Sequence, residues 1–117
     1  MALTPEQKAN RERWFAALES GDYRQTEGVL YDGTGYCCLG VACHTLGIEP
    51  VEIDSNWVFE GEDVALPWSA MKKLGLVSAN PSVKLKTTLS YLNDIERYTL
   101  AEIAQVIRDQ GADWDGS

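Results

Sequence analysis

Positive charge is scarce in this sequence. The 117 residues contain 10 Lys and Arg against 18 Asp and Glu, which gives a formal net charge of −8 at pH 7. Because nucleic-acid backbones are bound by clustered Lys and Arg side chains, we do not expect direct nucleic-acid binding. Six acidic residues form a segment without a basic residue: Glu49, Glu52, Asp54, Glu60, Glu62 and Asp63. This segment is either a solvated face that favours solubility or a negative surface that attracts a basic partner.

Long apolar runs are also lacking. The longest, Cys37–Cys43, is far shorter than the roughly 20 residues that cross a bilayer, so we expect no membrane association. The first six residues lack the basic and apolar regions of a secretory signal. Cysteines occur only at positions 37, 38 and 43, which is no disulfide framework and fits a reducing compartment. These features predict a cytoplasmic protein.

The single histidine limits the chemistry of the cysteines. A Cys nucleophile ordinarily needs a His base, and His44 lies six residues beyond Cys38 on the same predicted helix. At 1.5 Å of rise per residue this is about 9 Å, too far for a hydrogen bond. Adjacent residues on a helix point about 100° apart, so Cys37, Cys38, Cys43 and His44 should not converge on one metal ion. We expect no metal and no cofactor, and core packing explains the cysteines better than catalysis.

Caps and helical spacing of apolar residues predict four helices. They are residues 5–20 after the capping box Thr4–Gln7, residues 67–76 with Gly75 near the end, residues 85–94 with Leu85, Leu89 and Leu92 in register, and residues 100–110 after the capping box Thr99–Glu102.

The run Tyr36–Leu46, closed by Gly47, predicts a further helix that is apolar nearly all round and lies at the centre of the core. Its Gly40 would allow a neighbouring segment to approach closely. The alternation in Val51–Ile53 and Trp57–Phe59 predicts a small hairpin or meander. The sequence therefore predicts a single α+β domain over residues 1–117, with four to five helices around the central one. We expect residues 112–117 to form a frayed tail unless Trp114 docks.

Polar and aromatic residues near the Gly-rich turn predict a ligand site. Tyr23, Arg24 and Gln25 follow the first helix, and with Tyr36 they could stack on and hydrogen-bond a nucleotide-like ligand. Alternatively, Gln25 ties down the backbone of its loop. Asn93 and Asp94 are either a helix end and turn or a polar pair at the mouth of a pocket.

A second candidate surface lies on the predicted hairpin. Trp57 and Phe59 are two residues apart and therefore share one face of a strand. If that face is open, with Glu60, Glu62 and Asp63 as its rim, it has the composition of a protein interface. If it faces the core, it carries no function.

Several blocks together carry a resemblance to a known family. They are Tyr23-Arg24-Gln25, the block Tyr36-Cys37-Cys38-Leu39-Gly40-Val41, and Leu92-Asn93-Asp94 followed by Ile103-Ala104, and the resemblance spans most of the chain. In these blocks the chain resembles a family of short phage and prophage proteins with a YCCLGV motif and a terminal LND…F-x-x-IA block. Leu100 stands near the position where the family often has Phe, and Leu fills a core position equally well. The resemblance implies a phage-type accessory protein and no particular reaction.

The leading hypothesis is a non-enzymatic binding protein of phage or prophage type that acts on a host protein in the bacterial cytoplasm, as a counter-defence or host-modulating factor. The second is a protein that sequesters a small nucleotide signal. The third is a Cys-dependent hydrolase.

Overall fold

The structure, a computed structural model, describes residues 3–83, 87–111 and 114. Within these residues the chain forms five helices and one two-stranded antiparallel sheet. In chain order they are α1 (Pro5–Ser20), α2 (Cys38–Thr45), β1 (Val51–Ile53), β2 (Asn56–Val58), α3 (Trp68–Leu74), α4 (Leu89–Asp94) and α5 (Leu100–Arg108). The predicted α+β class is confirmed. Leu85, predicted to begin the fourth helix, lies outside the described residues.

Helix α1 is the element on which α2, α3 and α5 pack. It begins with the predicted capping box of Thr4 and Gln7, ends at Gly21 in the left-handed conformation, and contacts α2, α3 and α5. Its polar side chains also complete α3, because the last carbonyls of a helix have no partner within it. Asn10 donates to the carbonyl of Lys73, and the buried Arg11 donates to the carbonyl of Leu74 at 2.6 Å. These hydrogen bonds fix α3 to α1.

Helix α2 is the central helix that the sequence predicted, and Cys38 to Cys43 are all buried. A methyl group added at Gly40 would lie 1.9 Å from the carbonyl oxygen of Leu30, so this position accepts only glycine. The indole of Trp14 donates to the carbonyl of Cys38 at 2.9 Å and joins α1 to the start of α2. The close approach expected at Gly40 is thus present, and its partner is the backbone of the loop before α2.

The predicted hairpin forms, with a tighter turn than expected. Ile53 pairs with Asn56, so the turn consists of Asp54 and Ser55 alone, and both have positive φ. Positive φ at both central residues is the pattern of a type I′ turn, whose twist matches that of the two strands. Phe59 lies beyond β2 and is fully buried.

Trp114 docks on the fold, which is the alternative that the sequence left open for the end of the chain. It is buried, and its indole donates to the carbonyl of Ser82 at 3.1 Å. Its ring packs against Trp14 and Phe15, with centroid distances of 6.2 and 6.4 Å. The rest of the segment 112–117 lies outside the described residues. No helix among the described residues is long and apolar enough to span a membrane.

Candidate functional site

Five ring side chains form a continuous surface, which we call the aromatic strip: Tyr23, Tyr31, Tyr36, His44 and Trp57. Tyr31 stacks on Tyr36 at a centroid distance of 4.5 Å and meets Trp57 edge-on at 5.1 Å. Tyr23 and His44 each lie 5.4 Å from Tyr36 and 5.4 Å from one another. His44 is exposed and the other four rings are partly exposed. The strip therefore joins the predicted Tyr23 and Tyr36 site to Trp57 of the predicted hairpin surface.

A turn held by Asp32 positions Tyr31 and Tyr36 in the strip. The Asp32 carboxylate accepts hydrogen bonds from the backbone N–H groups of Thr34 and Gly35, at 2.9 and 2.7 Å. These bonds, together with one from the Thr26 hydroxyl, hold the pKa of Asp32 well below its usual range. A carboxylate that accepts backbone N–H groups is a normal clamp for such a turn.

The backbone of Arg24 and the side chain of Trp57 approach two glycines of the turn closely. A methyl group at Gly35 would lie 2.8 Å from the carbonyl oxygen of Arg24, and the N–H of Tyr36 donates to that same oxygen at 2.8 Å. Gly33 has a φ of 97°, and a methyl group there would lie 2.9 Å from Nε1 of Trp57. The glycines thus allow the turn to contact the hairpin and the segment Tyr23–Gln25, which we call the Tyr23 loop.

Tyr23 and Tyr36 keep their hydroxyl protons at neutral pH. The hydroxyl of Tyr23 lies 2.6 Å from Nδ1 of His44. Burial raises the pKa of Tyr23, and the negative charge of Asp22 raises it further. Burial also raises the pKa of Tyr36, with smaller contributions from neighbours that include Glu49. The strip therefore offers the uncharged phenols of Tyr23 and Tyr36 beside the carboxylates of Asp22 and Glu49.

Gln25 and Asn93, two of the predicted ligand residues, are occupied by contacts inside the fold. The Gln25 amide donates to Oδ1 of Asn93 at 2.9 Å and to the carbonyl of Tyr98 at 2.8 Å. Asn93 is fully buried, and its Oδ1 also accepts from the N–H of Cys38 at 3.2 Å. Asn93 therefore does not lie at the mouth of a pocket. Gln25 holds its loop in place, as the alternative interpretation expected.

Arg24 and Asp94 are the remaining two predicted ligand residues. Arg24 is exposed. Asp94 is half-buried and accepts a hydrogen bond from the amide of Asn93 at 2.8 Å. Neither residue is a member of the aromatic strip.

The acidic segment is mostly exposed, but its two aromatic residues, Trp57 and Phe59, differ in burial. Trp57 joins the strip, whereas Phe59 faces the core and offers no contact surface, which corrects its assignment to an interface. Among the predicted rim residues, Glu60 and Glu62 are exposed and Asp63 is half-buried. Glu60 accepts a hydrogen bond from the hydroxyl of Ser69 at 2.6 Å, and the carbonyl of Asp63 accepts from the N–H of Leu30. The carboxylate nearest to Trp57 in the sheet register is instead Glu52, its cross-strand partner.

All three cysteines are buried. Cys37 caps α2, and its sulfur accepts a hydrogen bond from the N–H of Gly40. Desolvation raises the pKa of Cys37 to about 11 and that of Cys43 to about 12, and it also raises the pKa of Cys38. Such thiols are poor nucleophiles near neutral pH, because the thiolate is the reactive form.

The search for a metal site gave a negative result: no group of three or more His, Cys, Asp or Glu side chains in residues 3–83, 87–111 and 114 is arranged to hold an ion.

Tyr31 and His44 are the strip residues that the sequence did not mark as a binding site. The available signal for Tyr31 was its position: Tyr31 and Tyr36 flank the Asp32–Gly35 turn and therefore pair across it. His44 was considered only as a base or a metal ligand. Its contact with Tyr23 joins the end of α2 to the loop after α1, which a pattern along the chain does not reveal.

Comparison with known proteins gave one match. A family model described as a domain of unknown function (DUF8296) matches residues 6–111. Searches of curated proteins and of solved structures gave no match.

Proposed function

The chain belongs to the DUF8296 family, and we propose that it is a non-enzymatic binding protein of phage or prophage type that acts on a host protein. The observation that carries this proposal is the aromatic strip. Tyr and Trp are the residues that most often anchor protein interfaces, because they bury a large area and lose little side-chain entropy. The site of action is the cytoplasm of a bacterial host, and the biological role is accessory, such as counter-defence.

The charges beside the strip favour a basic partner. Glu52 is the cross-strand partner of Trp57, and the charges of Asp22 and Glu49 act on Tyr23 and Tyr36. An Arg side chain can stack on a Tyr or Trp ring while its guanidinium pairs with a carboxylate. We therefore infer that the host protein presents Arg or Lys side chains to the strip.

Ring removal tests the surface. The tagged chain is used to capture a protein from host lysate, and the affinity of the purified pair is then measured by calorimetry. We expect the double variant Tyr23→Ala, Trp57→Ala to weaken binding at least a hundredfold, since each anchor contributes about 2 kcal/mol. The matched control is Tyr91→Ala, which removes an exposed aromatic residue from α4. Equal affinity of the double variant and the wild type would exclude the strip as the contact surface.

Charge reversal tests the chemistry of the partner. We expect Glu49→Lys with Glu52→Lys to slow association, and to make its rate less sensitive to salt, because like charges then face each other. The control is Glu6→Lys with Glu96→Lys, which changes the net charge equally at exposed positions outside the acidic segment. If both doubles slow association to the same extent, net charge alone is responsible and the local contact is excluded.

The nucleotide hypothesis is the second candidate, and the stacked pair of Tyr31 and Tyr36 favours it, since nucleobases stack on aromatic rings. The neighbouring carboxylates oppose phosphate binding. A thermal-shift screen with cyclic and ADP-ribose-type nucleotides tests this hypothesis. A stabilised chain supports it, and an unchanged melting temperature across the panel removes it.

The Cys-dependent hydrolase makes a different prediction. Catalysis needs a reactive thiol, whereas burial and the raised pKa of Cys37 predict that the folded chain resists iodoacetamide at neutral pH. Intact mass after labelling in buffer and in denaturant measures this. We expect labelling only in denaturant. Rapid labelling of the folded chain would support the hydrolase hypothesis instead.

A further inference from the structure

We propose that copies of this chain associate with each other, with the β1–β2 hairpin of one copy seated in a groove between α1 and α3 of another. The groove, which we call the α3 groove, has a volume of about 550 Å³. It is lined by residues from the start of α1 and from α3: Thr4, Glu6, Gln7, Trp68, Ser69, Lys72 and Lys73. The proposal does not depend on the proposed host partner, because it uses the other face of the hairpin.

The α3 groove combines an exposed tryptophan with unpaired positive charge. The Trp68 side chain is 73% exposed, the highest value among the exposed large apolar residues that the structure describes. Lys72 follows Trp68 by four residues and therefore lies on the same face of α3. Lys72 and Lys73 are exposed, and neither makes an ion pair within the described part of the chain. A tryptophan with this exposure gains most from burial against another protein.

The hairpin offers the complementary surface. Val51 and Ile53 are 55% and 54% exposed, and they share the face of β1 opposite to that of Glu52. Asp54 is exposed at the adjacent turn. Among the described residues the sheet has no third strand, so each strand also has one edge without a strand partner. One surface is aliphatic with a carboxylate at its tip, and the other is aromatic, with two ammonium groups against the single carboxylate of Glu6.

Charge argues for a second copy as the occupant. The chain carries a net charge of −8, and two of its other cations are already paired: Arg97 with Glu27, and Arg108 with Glu12 and Glu19. The lysines of the α3 groove are therefore available to an acidic, partly aliphatic surface, which is the chemistry of the exposed hairpin. Because the two surfaces differ, the contact is heterologous, and each copy contributes one surface to each contact.

Analytical ultracentrifugation tests the association. We expect the sedimentation coefficient of the wild-type chain to rise with concentration, with a dissociation constant on the order of 100 μM, as for small interfaces. Trp68→Ala should weaken association about thirtyfold, the effect of losing one interface anchor. Tyr91→Ala, the control, should leave it unchanged. A chain that stays monomeric up to about ten times the expected constant, or a Trp68→Ala variant that associates like the wild type, overturns the proposal.

A mixing experiment tests the pairing of the two surfaces. One variant carries Lys72→Glu with Lys73→Glu, and the other carries Val51→Lys with Ile53→Lys, and the circular dichroism of each is checked first. Each variant alone should be monomeric, since one of its two surfaces is lost. Mixed in equal amounts they should associate, because the unchanged hairpin of the first fits the unchanged groove of the second. A mixture that remains monomeric, when the wild type associates, overturns the assignment of these two surfaces.

Discussion

At the scale of single residues, Asn93 joins separate segments of the chain through one buried amide. Its Oδ1 accepts from the N–H of Cys38 at the start of α2 and from the amide of Gln25. Its Nδ2 donates to the carbonyl of Thr26 at 2.8 Å. In a buried site each of these groups would cost free energy if left without a partner. Asn93 therefore fixes the Tyr23 loop against α2 and α4, and with it one end of the aromatic strip.

Replacing Asn93 tests this role. We expect Asn93→Ala to lower the free energy of unfolding by about 2–3 kcal/mol, because it leaves several buried polar groups unpaired. Urea denaturation followed by circular dichroism measures the change. Asn56→Ala, at an exposed strand position, is the control and should change the value by less than about 0.5 kcal/mol. A similarly small loss for Asn93→Ala would show that the hydrogen bonds of the Asn93 side chain add little to stability.

Asp32 makes the stability of the turn depend on pH. Because the pKa of its carboxyl is lower in the folded chain than its usual value, its contribution is fully present above about pH 4 and is lost as the pH falls toward the folded pKa. We expect wild type to exceed Asp32→Ala in urea midpoint by a constant amount between about pH 7 and 5, and by less below about pH 4. A midpoint difference that widens on acidification would contradict this assignment.

At the scale of elements, the path of the chain around α2 depends on a glycine, Gly40, at which no side chain keeps the neighbouring backbone away. Gly40 allows the carbonyl of Leu30 to lie against the helix, and the N–H of Cys37 donates to that carbonyl at 3.0 Å. The same contact places Tyr31 and the Asp32 turn beside Tyr36. Packing of α2 and assembly of the aromatic strip are therefore linked through the backbone.

Gly40→Ala separates helix propensity from packing. Alanine is intrinsically better in a helix than glycine by about 1 kcal/mol, so propensity alone predicts stabilisation. The clash with the Leu30 carbonyl predicts the opposite, a loss of at least 2 kcal/mol, because overpacked backbone has to move. Urea denaturation of the soluble variant measures the sign, and Gln105→Ala at an exposed position of α5 is the control. A more stable Gly40→Ala chain would contradict the described approach.

At the scale of the whole molecule, Trp114 brings the end of the described chain back onto α1. It contacts Trp14 and Phe15, and the guanidinium of Arg11 lies over its ring at 5.6 Å. Arg11 also holds the end of α3, so this aromatic cluster connects three parts of the fold. We expect Trp114→Ala to cost about 2–4 kcal/mol of unfolding free energy, slightly less than a fully interior Trp. Urea denaturation measures the loss, and a change below about 0.5 kcal/mol would show that the residue only covers the surface.

Local chemistry accounts for what the sequence by itself determined. Some elements depend only on neighbours within a few residues, so their sequence patterns identify them. These are the capping boxes at Thr4 and Thr99, the apolar helix around Gly40 and the hairpin at Val51–Val58. Burial of the cysteines followed from the same apolar pattern. These elements were enough to predict the α+β class and the central helix.

Only the tertiary structure decided which predicted site residues share a surface. Asn93 and Phe59 are buried, and Trp57 meets Tyr31 and thereby the Tyr23 loop, through contacts between residues far apart in the chain. Sequence spacing carries no information on such contacts, because they depend on how closely the backbone can approach at Gly33, Gly35 and Gly40. For this reason, two surfaces that the sequence offered as alternatives, the Tyr23 and Tyr36 site and the Trp57 surface, form one strip. The exposure of Trp68 was likewise visible only in the fold, because it depends on how the described elements pack around α3.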